Sequence, residues 1–171
     1  MSFLDLARER FSCRKFDTSR PVEQEKIDKI IETAMTAPTA CNLQPFKIWV
    51  MNDESNIKKL SDATPYIFGA KTVMIVGADK FNSYVRKFDN KNFAKIDASI
   101  VATHIMLEVQ DLGLGTTWVG YFDPAVLKEL FPQMSGYEIV AIFPIGYPAP
   151  DVEIAEMHYK SKAKEDLVTV L

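Results

Sequence analysis

Residues 93–112 constrain the fold of this chain more than any other stretch. Their spacing predicts one long helix, with apolar side chains at Ile96, Ile100, Val101, Ile105, Met106, Leu107 and Val109. Those positions wrap most of the circumference, and such a helix is normally covered on nearly all sides. Asp97, His104, Glu108 and Asp111 make it too polar for a membrane, and no run of 18 or more apolar residues occurs elsewhere, so no membrane span is expected. The helix is then either the centre of a monomer core or a contact between subunits. A chain of 171 residues fits one domain, 1–171, around it.

Other elements follow from local signals. Ser2 and Asp5 form a capping-box pattern that opens a short helix. Ile27, Ile30, Ile31, Ala34 and Met35 recur at helical spacing over residues 23–36, and Pro38 stops the helix. Residues 46–51 and 71–77 read as strands, with a short helix between them after Asp53 that turns Ile57 and Leu60 inward. Gly113 and Gly115 close the long helix, and residues 116–121 read as a strand. Asp123-Pro124 opens another helix that Phe131-Pro132 ends. Residues 138–145 form the last strand, with Pro144 at its end or on an edge, because proline cannot donate to a ladder. The order is helices interleaved with strands, in a mixed α+β pattern.

Lys plus Arg number 20 against 23 Asp plus Glu, a net charge of −3, which argues against nucleic acid as a partner. The two cysteines, Cys13 and Cys41, have no metal-ligand spacing around them, and buried filler is the plainer reading of each. The N-terminus lacks the basic head and apolar run of a signal peptide, so a reducing, cytoplasmic setting is expected. His104 reads as a hydrogen-bonded structural residue and His158 as a solvated one. No metal site is expected.

The chemistry concentrates in two runs. In Arg10-Phe11-Ser12-Cys13-Arg14 an extended backbone would send Arg10, Ser12 and Arg14 to one side. Two guanidinium forks and a hydroxyl in a slightly acidic chain suggest a local anion site. Read alone, the arginines fit surface ion pairs as well. The second run is Ala37-Pro38-Thr39-Ala40-Cys41-Asn42-Leu43-Gln44-Pro45-Phe46.

These runs, with Gly113-Leu114-Gly115-Thr116-Thr117-Trp118-Val119-Gly120 and Pro144-Ile145-Gly146-Tyr147-Pro148 ahead of Lys160-Ser161-Lys162, resemble the FMN-dependent nitroreductase family in its short form. The resemblance covers nearly the whole chain. It implies an α+β fold with a mixed, mainly antiparallel sheet flanked by helices, and an interwoven homodimer with FMN in two interface clefts. Position by position, it implies that Arg10 and Ser12 hold the phosphate and ribityl end, with Phe11 between them in the same block. Arg14 is implied at the pyrimidine edge, where a cation stabilises the charge of reduced flavin, the nearest thing to a catalytic side chain. Pro38, Thr39 and Ala40 are implied to come from the partner subunit and lie along the ring. Asn42 and Gln44 would meet polar edges, and Trp118, Val119 and Gly120 would present backbone groups. Lys160 and Lys162 would complete the phosphate clamp. Thr39 and Phe46 stand where serine and tryptophan are usual. Residues 79–92 match nothing in the family pattern and are either a cover for the flavin's open face or a surface connection.

The activity implied is transfer of a hydride from NADH or NADPH through FMN to a small-molecule oxidant, such as a nitroaromatic, a quinone or an activated enone, with ping-pong kinetics. The alternatives are the same fold used for dehalogenation or oxygen-dependent chemistry, or a non-catalytic flavin sensor or storage module.

Overall fold

The computed structural model describes residues 2–171. Its elements in chain order are α1 (Phe3–Glu9), α2 (Gln24–Met35), β1 (Phe46–Met51), α3 (Glu54–Leu60), β2 (Thr72–Ala78), β3 (Val85–Arg86), β4 (Lys91–Asn92), α4 (Ala94–Asp111), β5 (Gly115–Thr116), α5 (Pro124–Leu130), β6 (Glu138–Gly146) and α6 (Lys164–Leu167). Four strands form one antiparallel sheet in the order β1-β2-β6-β5. No helix among the described residues is long and apolar enough to cross a membrane.

Strand alternation divides the interior into two cores. Met74, Val76 and Ala78 of β2 and Ala141, Phe143 and Ile145 of β6 face α2 and α4. Val73, Ile75 and Ile142 face the other way, against Leu60 of α3, Leu127 of α5, Cys13 and Phe16. Helices therefore cover both faces, and the expected α+β architecture is present. The capping box at Ser2 forms as expected: Ser2 Oγ accepts the Asp5 N–H, and the Asp5 carboxylate accepts the Ser2 N–H.

Helix α4 buries Ala94, Ala98, Val101, Ala102, Ile105 and Val109 against α2 and the sheet. One chain thus covers most of it, leaving an open apolar strip around Ile96 and Ile100. The His104 ring nitrogen Nδ1 lies 2.9 Å from the Ile100 carbonyl, a structural bond as expected. The helix ends in a left-handed Gly113 with φ 70°. The Leu114 N–H reaches the Val109 carbonyl at 2.9 Å and the Gly113 N–H reaches Gln110 at 3.0 Å. That paired closure returns the chain directly into β5.

The expected strand over residues 116–121 is interrupted. Thr116 pairs with Ile145 and Val119 with Ile142, in one register that sets Thr117 opposite Pro144. Val119 and Ile142 exchange both backbone bonds, at 3.0 and 3.1 Å. Two residues along, Pro144 should donate to Thr117 and has no N–H to give. The ladder fails there, and the Thr116 hydroxyl takes up the Pro144 carbonyl at 2.7 Å. Pro144, expected at a strand end or on an edge, lies inside the interior strand β6, two residues before its last, with its imino side towards the short edge strand β5. Residues 79–92, which match no family pattern, contain the β3–β4 hairpin, whose loop carries a fully exposed Phe88.

Gly115 joins this scaffold to the N-terminal segment. A Cβ on Gly115 would lie 2.7 Å from Cys13 Cβ and 2.8 Å from its sulfur. Gly115→Ala should therefore push residues 10–14 off β5 and lower stability by about 1–3 kcal/mol, read by thermal and urea unfolding; unchanged stability would mean that the contact is relaxed in solution.

Candidate active site

Residues 10–17 run extended between two backbones. The Cys13 N–H donates to Thr116 at 2.9 Å, Asp17 to Tyr147 at 2.8 Å, and Ala149 to Lys15 at 3.1 Å. Phe11 and Cys13 point into the core, so the alternating Arg10, Ser12 and Arg14 point out, and Phe16 is buried further along. Burial pushes the Cys13 thiol up, and its Sγ lies 3.3 Å from the Lys15 carbonyl. Cys13 is packed filler, as expected, not a nucleophile, whereas Cys41, read the same way, is exposed in its left-handed turn. Phe11 turns inward and packs on the same core, so it lines no cleft.

Two clefts meet at Arg14. One, of about 300 Å³, is lined by Arg10, Ser12, Arg14, Ile154, Ala155, Met157 and His158. The other, of about 240 Å³, is lined by Arg14, Tyr66, Phe68 and residues 117–121. The first presents cationic and hydroxyl donors and no carboxylate. The second is aromatic: Tyr66 sits 5.6 Å edge-on from Tyr121 and 5.8 Å from Phe68. It opens where Pro144 breaks the ladder. Val119 lines this cleft with Trp118 and Gly120, but both of its backbone groups are committed to Ile142, contrary to its expected role. The Trp118 ring itself turns to the core, 5.4 Å edge-on to Phe143.

The tail contributes differently from expectation. His158, read from the sequence as solvated, is half-buried, with Nε2 3.1 Å from the Arg8 carbonyl, which orients its ring into the cationic cleft. Lys160 and Lys162 line neither cleft, and Lys160 pairs with Glu156 at 3.7 Å.

Residues 38–44 also line neither cleft of their own chain. They form a tight loop with φ of 52° at Cys41, 53° at Asn42 and 51° at Gln44. Left-handed backbone costs non-glycine residues roughly 1–3 kcal/mol each, least for asparagine. The Thr39 hydroxyl accepts the Gln44 N–H and the Asn42 Oδ1 accepts the Gln44 Nε2, both at 3.0 Å. These bonds leave the Asn42 amide hydrogens and the Gln44 Oε1 free to meet another molecule.

The nitroreductase family model matches residues 7–65 and 64–147. A protein of Methanothermobacter thermautotrophicus, provisionally named NADH dehydrogenase/NAD(P)H nitroreductase, is 31% identical over 156 residues, 87% of this chain and 78% of its own length. This chain belongs to the nitroreductase family. A nitroreductase family protein from Clostridium difficile has a crystal structure that superposes with a TM-score of 0.91 at 37% identity, covering 99% of this chain and 98% of the other. A Bacillus subtilis FMN reductase [NAD(P)H] is 28% identical over 77% of this chain and 60% of its own length.

The donor set fits the family's flavin: a phosphate suits the Arg10–Ser12–His158 cleft, and a planar ring suits the aromatic one. Tyr66 and Phe68 are site residues that the sequence reading lacks, and His158 enters the site where a solvated residue is expected. The aromatics between Pro65 and Gly69 were the available signal for the first two. A Cβ on Gly120 would meet nothing within 4 Å, so packing does not require glycine there. Gly120→Val should change stability by no more than about 0.5 kcal/mol while weakening any ligand of the aromatic cleft at least tenfold; tight binding by the variant would remove that cleft from the site.

Proposed function

We propose that this chain is an NAD(P)H-dependent FMN oxidoreductase that works as a homodimer and reduces a nitroaromatic, quinone or activated enone. Its family and its relatives' names support the oxidoreductase class and both carriers. The observation that carries the reading is Arg14 at the junction of a cationic cleft and an aromatic one. An elongated ligand with an anionic end and a flat end matches that pair.

Bound FMN supplies the hydride chemistry. The chain's own residues supply the rest. Arg10, Ser12 and His158 hold the phosphate, with charge-assisted bonds from the guanidinium. Arg14 places a permanent cation beside the ring's polar edge, which favours negative charge there. Trp118 and Gly120 offer backbone groups, and Tyr66, Phe68 and Tyr121 give planar substrates an apolar face and exclude water. One open face serving donor and oxidant in turn implies ping-pong kinetics.

Three features support the dimer. Residues 38–44 hold free polar groups but line no cleft of their own chain. The strip at Ile96 and Ile100 is open. Met157, Tyr159, Leu167 and Val168 in the tail are exposed apolar side chains that a second copy can cover.

The purified protein should be a yellow dimer that NADH or NADPH bleaches anaerobically and an oxidant recolours; a protein that stays colourless after soaking with FMN contradicts the reading. Arg10→Ala should weaken FMN binding by about 1.5–3 kcal/mol, measured by fluorescence titration. His158→Ala should weaken FMN but not riboflavin, which lacks the phosphate; equal loss for both would move His158 out of the phosphate site.

A further inference from the structure

Asp97 has no part in the reading above, yet its setting is unusual. It lies in the first turn of α4 and is 2% exposed. Its Oδ1 accepts the Ala40 N–H at 3.0 Å, and its Oδ2 is buried with no partner among the described residues. Burying a carboxylate with half of its acceptor capacity unused is unfavourable. Apolar packing on α4 does not need it, since Ala94, Ala98 and Val101 beside it already fill the core.

What it touches explains its presence. Ala40 opens the 3₁₀ turn in which Cys41 and Asn42 are left-handed, and Gln44 follows in the same conformation. The remaining side-chain bonds of residues 39–44 close the loop on itself. Among the described residues, the Ala40–Asp97 bond is the one that ties residues 39–44 to an element distant in sequence. A strained loop keeps its shape only when its surroundings over-determine it. A buried side-chain oxygen held by a helix is a better-oriented acceptor than water for that purpose.

We propose that Asp97 is the positioning residue of the flavin-facing loop, holding Thr39, Ala40, Asn42 and Gln44 in their binding geometry by accepting the Ala40 N–H. The loop's role towards flavin rests on the functional reading above. Helix α4, whose open strip is offered to the partner, would thereby set the loop that completes the partner's cleft.

The test uses the full-length protein. In the flavin-free form, hydrogen exchange should find the Ala40 amide protected in the native chain and in Asp97→Asn, whose amide oxygen still accepts. In Asp97→Ala, exchange at residues 40–44 should speed at least tenfold while β2 and β6 keep native rates. FMN titration should then give a Kd within threefold of native for Asp97→Asn and at least tenfold weaker for Asp97→Ala. Native exchange and FMN affinity in Asp97→Ala would overturn the proposal. So would an unprotected Ala40 amide in Asp97→Asn, which decides the matter even if the alanine variant does not fold. A native protein that takes up no FMN would sink the functional reading instead, and exchange at Ala40 would still decide what Asp97 does.

Discussion

The structure depends on the clamping of residues 10–17 between β5 and the chain just after β6. The Cys13–Thr116, Asp17–Tyr147 and Ala149–Lys15 backbone bonds fix an extended conformation that the segment could not hold alone. Inward packing of Phe11 and Cys13 then sets which side chains face out. Arg10, Ser12 and Arg14 owe their common direction to that register. The strand neighbours are as particular as the arginines, because Gly115 leaves just enough room for Cys13.

A single missing N–H shapes the second half of the site. Pro144 lies where β6 should donate to residue 117, so the edge strand stops after two residues and resumes for one pair at Val119. The chain between them leaves the sheet without leaving its register. That detachment opens a cleft lined by residues 117–121, while Tyr66 and Phe68 close its far side. The Thr64 hydroxyl, bonded to the Tyr121 carbonyl at 2.7 Å, ties those two walls together.

Much of this was legible in the sequence where the signal was local. The capping box at Ser2, the apolar stripe of α2, the glycine closure of α4 and the Asp123-Pro124 helix start are decided within a few residues of chain, and each was read correctly. The alternation that exposes Arg10, Ser12 and Arg14 was legible for the same reason. What escaped depends on partners far away in sequence. The break opposite Pro144 needs the pairing of two strands, and the commitment of the Val119 backbone needs the same register. His158 looked like part of a charged tail because nothing near it in sequence predicts that Arg8, 150 residues earlier, orients its ring. Lys160 and Lys162 were implied by the resemblance of their block, and they line neither cleft of their own chain, because nothing local fixes where a charged tail lies.

The central claim is that the anionic end of a flavin lies on the Arg10–Ser12 segment and its ring in front of residues 117–121. A crystal structure of the protein grown with FMN tests it most directly. The account predicts the phosphate within hydrogen-bonding distance of Arg10, Ser12 and His158, and the ring beside Arg14 with a partner's residues 38–44 against it. A flavin seated elsewhere, such as the separate cavity between Asn52 and Lys71, with the arginines facing solvent, would contradict it.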